Sequence, residues 1–198
     1  FIFQPNEEHG LGAQAMIDDG LFNNFSIDEV YGMHNIPGMD IKTFSTRVGT
    51  ITASENIFHI TIEGQGGHAA LPHMGVDVIT VGAQIINSLQ TIVSRKINPA
   101  SNGIVSVTEF KSDGKRNILP GNAIISGDTR ALSDETNKII ETNMKKIVQG
   151  ICEAHGVKFK VSYKTEFPMT INSHHQTKAA INACKKLVGE ENVNGEGE

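Results

Sequence analysis

The chain has 198 residues, 38% hydrophobic and 20% charged, enough apolar material for a packed core and too much for a disordered segment. Its 17 basic and 22 acidic residues leave a formal charge of −5, which excludes the basic face that nucleic-acid binding needs. No apolar run reaches the roughly 18 residues of a membrane span, no signal peptide opens the chain, and two cysteines, Cys152 and Cys184, are too few for a disulfide scaffold and point to a reducing cytoplasm.

In chain order, the apolar opening at residues 1–4 reads as a buried strand stopped by Pro5. Residues 10–19 read as a helix with Gly20 as its stop, and 30–34 as a second strand followed by the turn signal Pro37-Gly38. A strand–helix–strand unit of this length implies a right-handed crossover and a parallel pair. Glu7, Glu8 and His34 then fall at one carboxyl edge of a sheet, where open α/β sheets bind ligands. The charge supports a boundary near residue 50. Residues 1–50 set Lys42 and Arg47 against Glu7, Glu8, Asp18, Asp19, Asp28, Glu29 and Asp40, whereas basic residues slightly outnumber acidic ones from 51 to 165.

From there the pattern is strand 55–64, helix 77–95, strands 104–111 and 123–132, a helix capped by Ser133, and a strictly alternating strand at 157–164. The order βαββαβ is that of a ferredoxin-like split βαβ sandwich. Residues 173–188 read as one more helix, returning to the first domain, and 192–198 carry no packing pattern. With a strand interior at its start and no pattern at its end, the chain reads as a fragment of a longer protein.

Three clusters can carry chemistry. Adjacent carboxylates such as Glu7 and Glu8 can divide labour, one ligating a metal while the other serves as general base. His34 adds an imidazole suited to zinc or a similar divalent ion. Taken singly, the pair reads as a solvated acidic loop and the histidine as a surface residue; their convergence at one edge favours a site. In Gly64-Gln65-Gly66-Gly67-His68 the glycines let a tight turn bring His68 to a ligand, against the plainer reading of an ordinary strand-to-helix connection. Asn117 lies in a loop between strands, and Arg130 shares a strand face with Asp128, where it can clasp a carboxylate or simply pair with Asp128 or a neighbouring strand. Cys152 and Cys184 read as buried spectator thiols. A dimerising or small-ligand-binding ferredoxin-like module without catalysis stands as the alternative from another class.

Phe3-Gln4-Pro5-Asn6-Glu7-Glu8, Gly32-Met33-His34-Asn35, residues 64–73 from Gly64 to His73, and Asn117-Ile118-Leu119-Pro120 occur in that order. This ordered set resembles the metal-dependent amidohydrolases of the aminoacylase and carboxypeptidase superfamily, in particular the N-acyl-amino-acid, hippurate and auxin-conjugate hydrolases. The resemblance implies a zinc-peptidase-like α/β catalytic domain at 1–53 and 167–198, with an inserted ferredoxin-like lid and dimerisation domain at 54–166. It implies Glu7 as general base, Glu8 and His34 as metal ligands, and His68 as a lid histidine that steadies the substrate carbonyl. It assigns Asn117 and Arg130 to substrate binding, one or two divalent ions (zinc or manganese) as cofactor, an N-acyl amino acid or peptide as substrate, and a cytoplasmic homodimer. A di- or aminopeptidase of the same superfamily is the neighbouring alternative. The family's upstream Cys-Gly-His-Asp motif and its distal histidine ligand are absent, and His9 stands where relatives often carry Gly, so this stretch by itself is expected to bind metal weakly and to be inactive.

Overall fold

The computed structural model describes residues 1–197, apart from the side chain of His9. The chain divides into two compact units, residues 53–169 and residues 1–52 with 170–198.

The first of these is a mixed α/β unit built on a four-stranded sheet. Its strands are β3 (Ser54–Glu63), β5 (Gly103–Ser112), β7 (Asn122–Ala131) and β8 (Lys158–Phe167), paired in the order β5-β7-β3-β8 with every neighbour antiparallel. Helix α3 (Val78–Arg95) joins β3 to β5, and α4 (Asp134–His155) joins β7 to β8, so the element order is β-α-β-β-α-β. The two-residue alternation of β3 puts Phe58, Ile60 and Ile62 on one face, fully buried. Ile85, Leu89 and Ile92 of α3 and Ile140, Met144 and Val148 of α4 share their core, spaced three, four or seven to eight residues apart on each helix. Both helices begin where side chains cap them: Asp77 accepts from the Ile79 N–H at 2.9 Å, and Ser133 from that of Thr136 at 3.1 Å.

A buried polar network interrupts this apolar layer where the chain enters at Ser54 and leaves at Phe167. Tyr163 donates its hydroxyl hydrogen to Asn137 Oδ1 at 2.7 Å and meets the Thr129 hydroxyl at 2.6 Å. Asn137 donates to Asn56 Oδ1, which also accepts from Thr165. Asn56 is wholly buried, and its own amide donates to Ser54 Oγ and the Thr129 carbonyl. Every one of these groups is partnered, as burial requires.

The other unit contains α1 (Leu11–Asp18), α2 (Leu21–Asn24), β1 (Phe44–Ser45), β2 (Gly49–Thr52), β9 (Thr170–Asn172), α5 (His174–Val188) and β10 (Val193–Asn194). Strand β2 pairs antiparallel with β9, and β1 pairs parallel with β10. Here the sequence expectations need correction. Residues 1–4 and 30–34 form no strand; Phe1, Phe3, Val30 and Met33 are exposed. The parallel pair expected from them does not form: parallel strands are stable when both faces are covered, and these residues are exposed. The stretch read as patternless at 192–198 does pair, through Val193 and Asn194 with Phe44 and Ser45. Among the described residues, no helix is long and apolar enough to cross a membrane.

Candidate functional site

Without a sheet edge, Glu7, Glu8 and His34 are placed by a turn. Asn6 adopts φ 51°, ψ 47°, the left-handed region that Asn tolerates better than most residues, and launches a 3-10 turn over Glu7–His9 that closes on Gly10 at φ 65°. Strain of this kind gathers at functional positions. The turn still brings Glu7 to His34: Glu7 Oε1 lies 3.7 Å from His34 Nε2, both side chains more than half exposed. The other ring nitrogen, Nδ1, donates to the Asn35 carbonyl at 2.8 Å. In the neutral ring Nε2 therefore keeps its lone pair, turned toward a carboxylate oxygen, an arrangement that a proton or a metal ion between the two satisfies. Glu8 makes no hydrogen bond or ion pair among the described residues. The donor chemistry, carboxylate and imidazole, fits a divalent ion, but no group of three or more His, Cys, Asp or Glu able to hold one occurs among the described residues. The expectation attached to His9 lies outside the described side chains.

His68 and Asn117 come together in the unit at 53–169. Strand β4 (Gly67–His68) pairs antiparallel with β6 (Ile118–Leu119), His68 opposite Ile118, and the Ala69 N–H donates to the Asn117 carbonyl at 3.0 Å. The glycines make this contact close: a Cβ on Gly66 would stand 2.8 Å from the Leu119 carbonyl oxygen. His68 is exposed, and its Nδ1 accepts the Ala70 N–H at 3.1 Å.

Arg130 stands apart from them. On β7 it pairs across the sheet with Glu55 and Ile104, whereas the 117–121 loop enters the same strand at Asn122. Eight residues of strand separate Arg130 from Asn122, roughly 25 Å. Its Nε contacts Asp128 at 2.9 Å and its Nη1 contacts Glu55 at 3.1 Å. The guanidinium thus takes the plainer of its two sequence readings, a structural ion pair, with a second carboxylate, Glu55, that only the strand register identifies. Asp128 Oδ1 is buried and, among the described residues, without a hydrogen-bond partner.

Comparison with known proteins follows this geometry. Residues 1–197 match the profile of peptidase family M20/M25/M40. The chain is 38% identical over 190 residues to the hippurate hydrolase of Campylobacter jejuni, a match covering 96% of this chain and 50% of the relative. It is 36% identical over 172 residues to the N-acetyldiaminopimelate deacetylase of Exiguobacterium sibiricum, covering 87% of this chain and 46% of that one. A crystal structure of a dinuclear metal-binding peptidase of family M20 from Bacillus subtilis superposes over the whole chain and 48% of its own, with a TM-score of 0.80 and 26% identity. The chain spans about half the length of the curated relatives it matches.

Proposed function

Because this chain belongs to peptidase family M20/M25/M40, we propose that the whole protein hydrolyses the amide bond of N-acyl amino acids with one or two divalent ions, zinc or manganese. The observation that carries the reading is the approach of Glu7 to a His34 ring whose Nε2 is left with its lone pair. The names of the relatives, a hippurate hydrolase and an N-acetyl-amino-acid deacetylase, favour the substrate class.

In this reading Glu8 and His34 hold metal together with donors that this stretch does not supply. The metal, when bound, contributes Lewis-acid polarisation of the scissile carbonyl. Glu7 accepts a proton from the attacking water as its oxygen bonds to the carbonyl carbon, and returns that proton to the nitrogen as the C–N bond breaks, releasing a carboxylic acid and an amine. His68 donates from Nε2 to the developing oxyanion. Arg130 or Asn117, which roughly 25 Å of strand keeps apart, orients the substrate carboxylate; for Arg130 this requires a guanidinium already held by Asp128 and Glu55 to offer its remaining hydrogens. We assign 1–53 and 167–198 to a catalytic domain and 54–166 to a ferredoxin-like lid that also makes the homodimer. The free thiols of Cys152 and Cys184 support a cytoplasmic location.

The test is amine release by the full-length protein from N-acyl amino acids and dipeptides, before and after chelation and on return of zinc or manganese. Chelator-sensitive release from N-acyl amino acids, reduced by about 10²–10⁴-fold in Glu7→Gln, is the expected result. Release confined to dipeptides would move the protein to the peptidases of its family, and a fully active Glu7→Gln protein would remove Glu7 as the base.

A further inference from the structure

The loop that links β5 to β7 carries β6, the strand paired with His68. The pair β4–β6 is two residues long, and a ladder that short does not hold itself together in water. Pro120 is buried and the rest of 113–122 is exposed or half-buried, so the loop has little core to anchor it. Its tip folds on itself between Lys115 and Ile118, whose N–H groups each donate to the other's carbonyl, at 3.2 and 3.0 Å. Its exit is tied by the Gly64 N–H, which donates to the Gly121 carbonyl at 2.8 Å. Its entry is fixed by a side chain. Asp113 Oδ1 accepts the backbone N–H of Asn122 at 3.0 Å, and Oδ2 accepts the Asn122 side-chain N–H at 2.7 Å. Asn122 is a firm anchor, because β7 lies between β5 and β3 and Asn122 itself pairs with Glu63. The Asn122 side-chain amide, helped by its backbone N–H, holds the Asp113 carboxyl below the usual carboxylate range. Near neutral pH both donors therefore meet an ionised acceptor, which makes the stronger bonds.

We propose that Asp113 is a positioning residue: by clamping Asn122 it closes the neck of the 113–122 loop and so fixes where β6 presents Asn117 and braces His68. The path is short. The clamp sets the first residue of the loop, and the Lys115–Ile118 turn carries that setting to Ile118, which lies opposite His68. The Asn117 carbonyl then takes the Ala69 N–H at 3.0 Å, one residue beyond His68. A loop pinned at its neck has less conformational freedom to lose when β6 meets β4. For its consequence in catalysis the inference rests on the reading of His68 as the group that steadies the substrate carbonyl; the geometry of the clamp does not depend on that reading.

A pair of exchanges tests it. Asn122→Asp sets two carboxylates against each other at the neck. Asp113→Asn combined with Asn122→Asp puts the amide and the carboxylate in each other's places and re-forms both bonds. In the 198-residue chain, NMR amide exchange at Ala69 and Ile118 should quicken by at least about tenfold in Asn122→Asp, with Ile60 and Ile125 unchanged, and should return to the parent rate in the double variant. Asp113→Ala, which removes the clamp without adding a charge, should act in the same direction. In the full-length protein, kcat/KM for amine release should fall by about 10–10²-fold in Asn122→Asp and recover in the double variant. Parent-like exchange at Ala69 in both Asn122→Asp and Asp113→Ala would overturn the proposal. So would a loss of activity that the double variant does not repair, or one matched by faster exchange at Ile60 and Ile125, which would make the effect general destabilisation. Full activity in His68→Ala would instead remove the catalytic reading of His68, and the exchange rates would still decide the clamp.

Discussion

The backbone N–H of Ala70 donates to Nδ1 of His68 across 3.1 Å. A neutral imidazole that accepts at Nδ1 carries its proton at Nε2, so a residue two positions downstream decides which face of the ring can donate to a carbonyl. The expected outcome is a ring in the Nε2–H form, read from the ¹⁵N shifts of the two ring nitrogens in the 198-residue chain at a pH where the ring is neutral. An Nδ1–H ring would mean that His68 faces a ligand as an acceptor, and its oxyanion role would go.

Alkaline pH should weaken the unit at 53–169 through Tyr163. Burial raises the pKa of its phenol above the usual 10, opposed in part by the hydrogen bond with Thr129. A raised folded-state value means the folded protein holds its proton longer than the unfolded chain. The stabilisation is complete below pH 10 and is lost as pH climbs through the raised value. Urea midpoints between pH 8 and 11 should fall, with Cys152 contributing in the same direction. Tyr163→Phe should cost about 1–3 kcal/mol at pH 8, because it strips Asn137 Oδ1 and the Thr129 hydroxyl of a partner, and should flatten the alkaline decline. A variant as pH-sensitive as the parent would place the titration elsewhere.

Gly127 lies on β7 against the ring of Phe58. A Cβ there would stand 2.1 Å from the Ser106 carbonyl oxygen and 2.5 Å from Phe58 Cζ, contacts that backbone and a fully buried ring cannot both yield. Gly127→Ala should destabilise by about 1–3 kcal/mol, and pairing it with Phe58→Leu should recover part of the loss in a thermal melt. No recovery would show that the strand backbone, rather than the ring, resists.

The two thiols should report on the two units separately. Burial lifts the Cys152 thiol to about 11, so at pH 8 it stays in its unreactive thiol form, and its side chain is wholly covered in the core. Cys184 sits half-buried on α5. Iodoacetamide at pH 8 should modify Cys184 in the native chain and reach Cys152 only across the denaturant transition. Native-state labelling of Cys152 would mean that this core opens locally.

How much of this could be read beforehand depends on whether an element is stabilised by its own pattern or by a distant partner. The helix at Val78–Arg95 falls within a residue of the stretch 77–95 picked out by apolar spacing, and the helix at Asp134–His155 begins right after the Ser133 cap read from the sequence. The four long strands were visible because ten residues give a two-residue period room to repeat. β1, β2, β9 and β10 are two to four residues long, too short for any period, and they exist because of partners more than a hundred residues away. The same limit hid Glu55 beside Arg130 and the Asn56–Asn137–Tyr163 network, which along the strand looks like a break in alternation. At the candidate site the residue types were legible, whereas the sheet edge expected from residues 1–4 and 30–34 does not form and a turn after the left-handed Asn6 places the glutamates instead.

The strand pairing has one more consequence. Thr52 lies opposite Thr170 in β2–β9, and Glu55 lies opposite Phe167 in β3–β8, so the long excursion from 53 to 169 leaves and returns on neighbouring strands. Residues facing each other across an antiparallel pair can be closed by a two-residue turn. An Asn-Gly in place of residues 53–169 would leave β2 and β9 as a plain hairpin. The helix-backed sheet is thus removable by a single deletion that leaves the pairing of the strands flanking it unchanged.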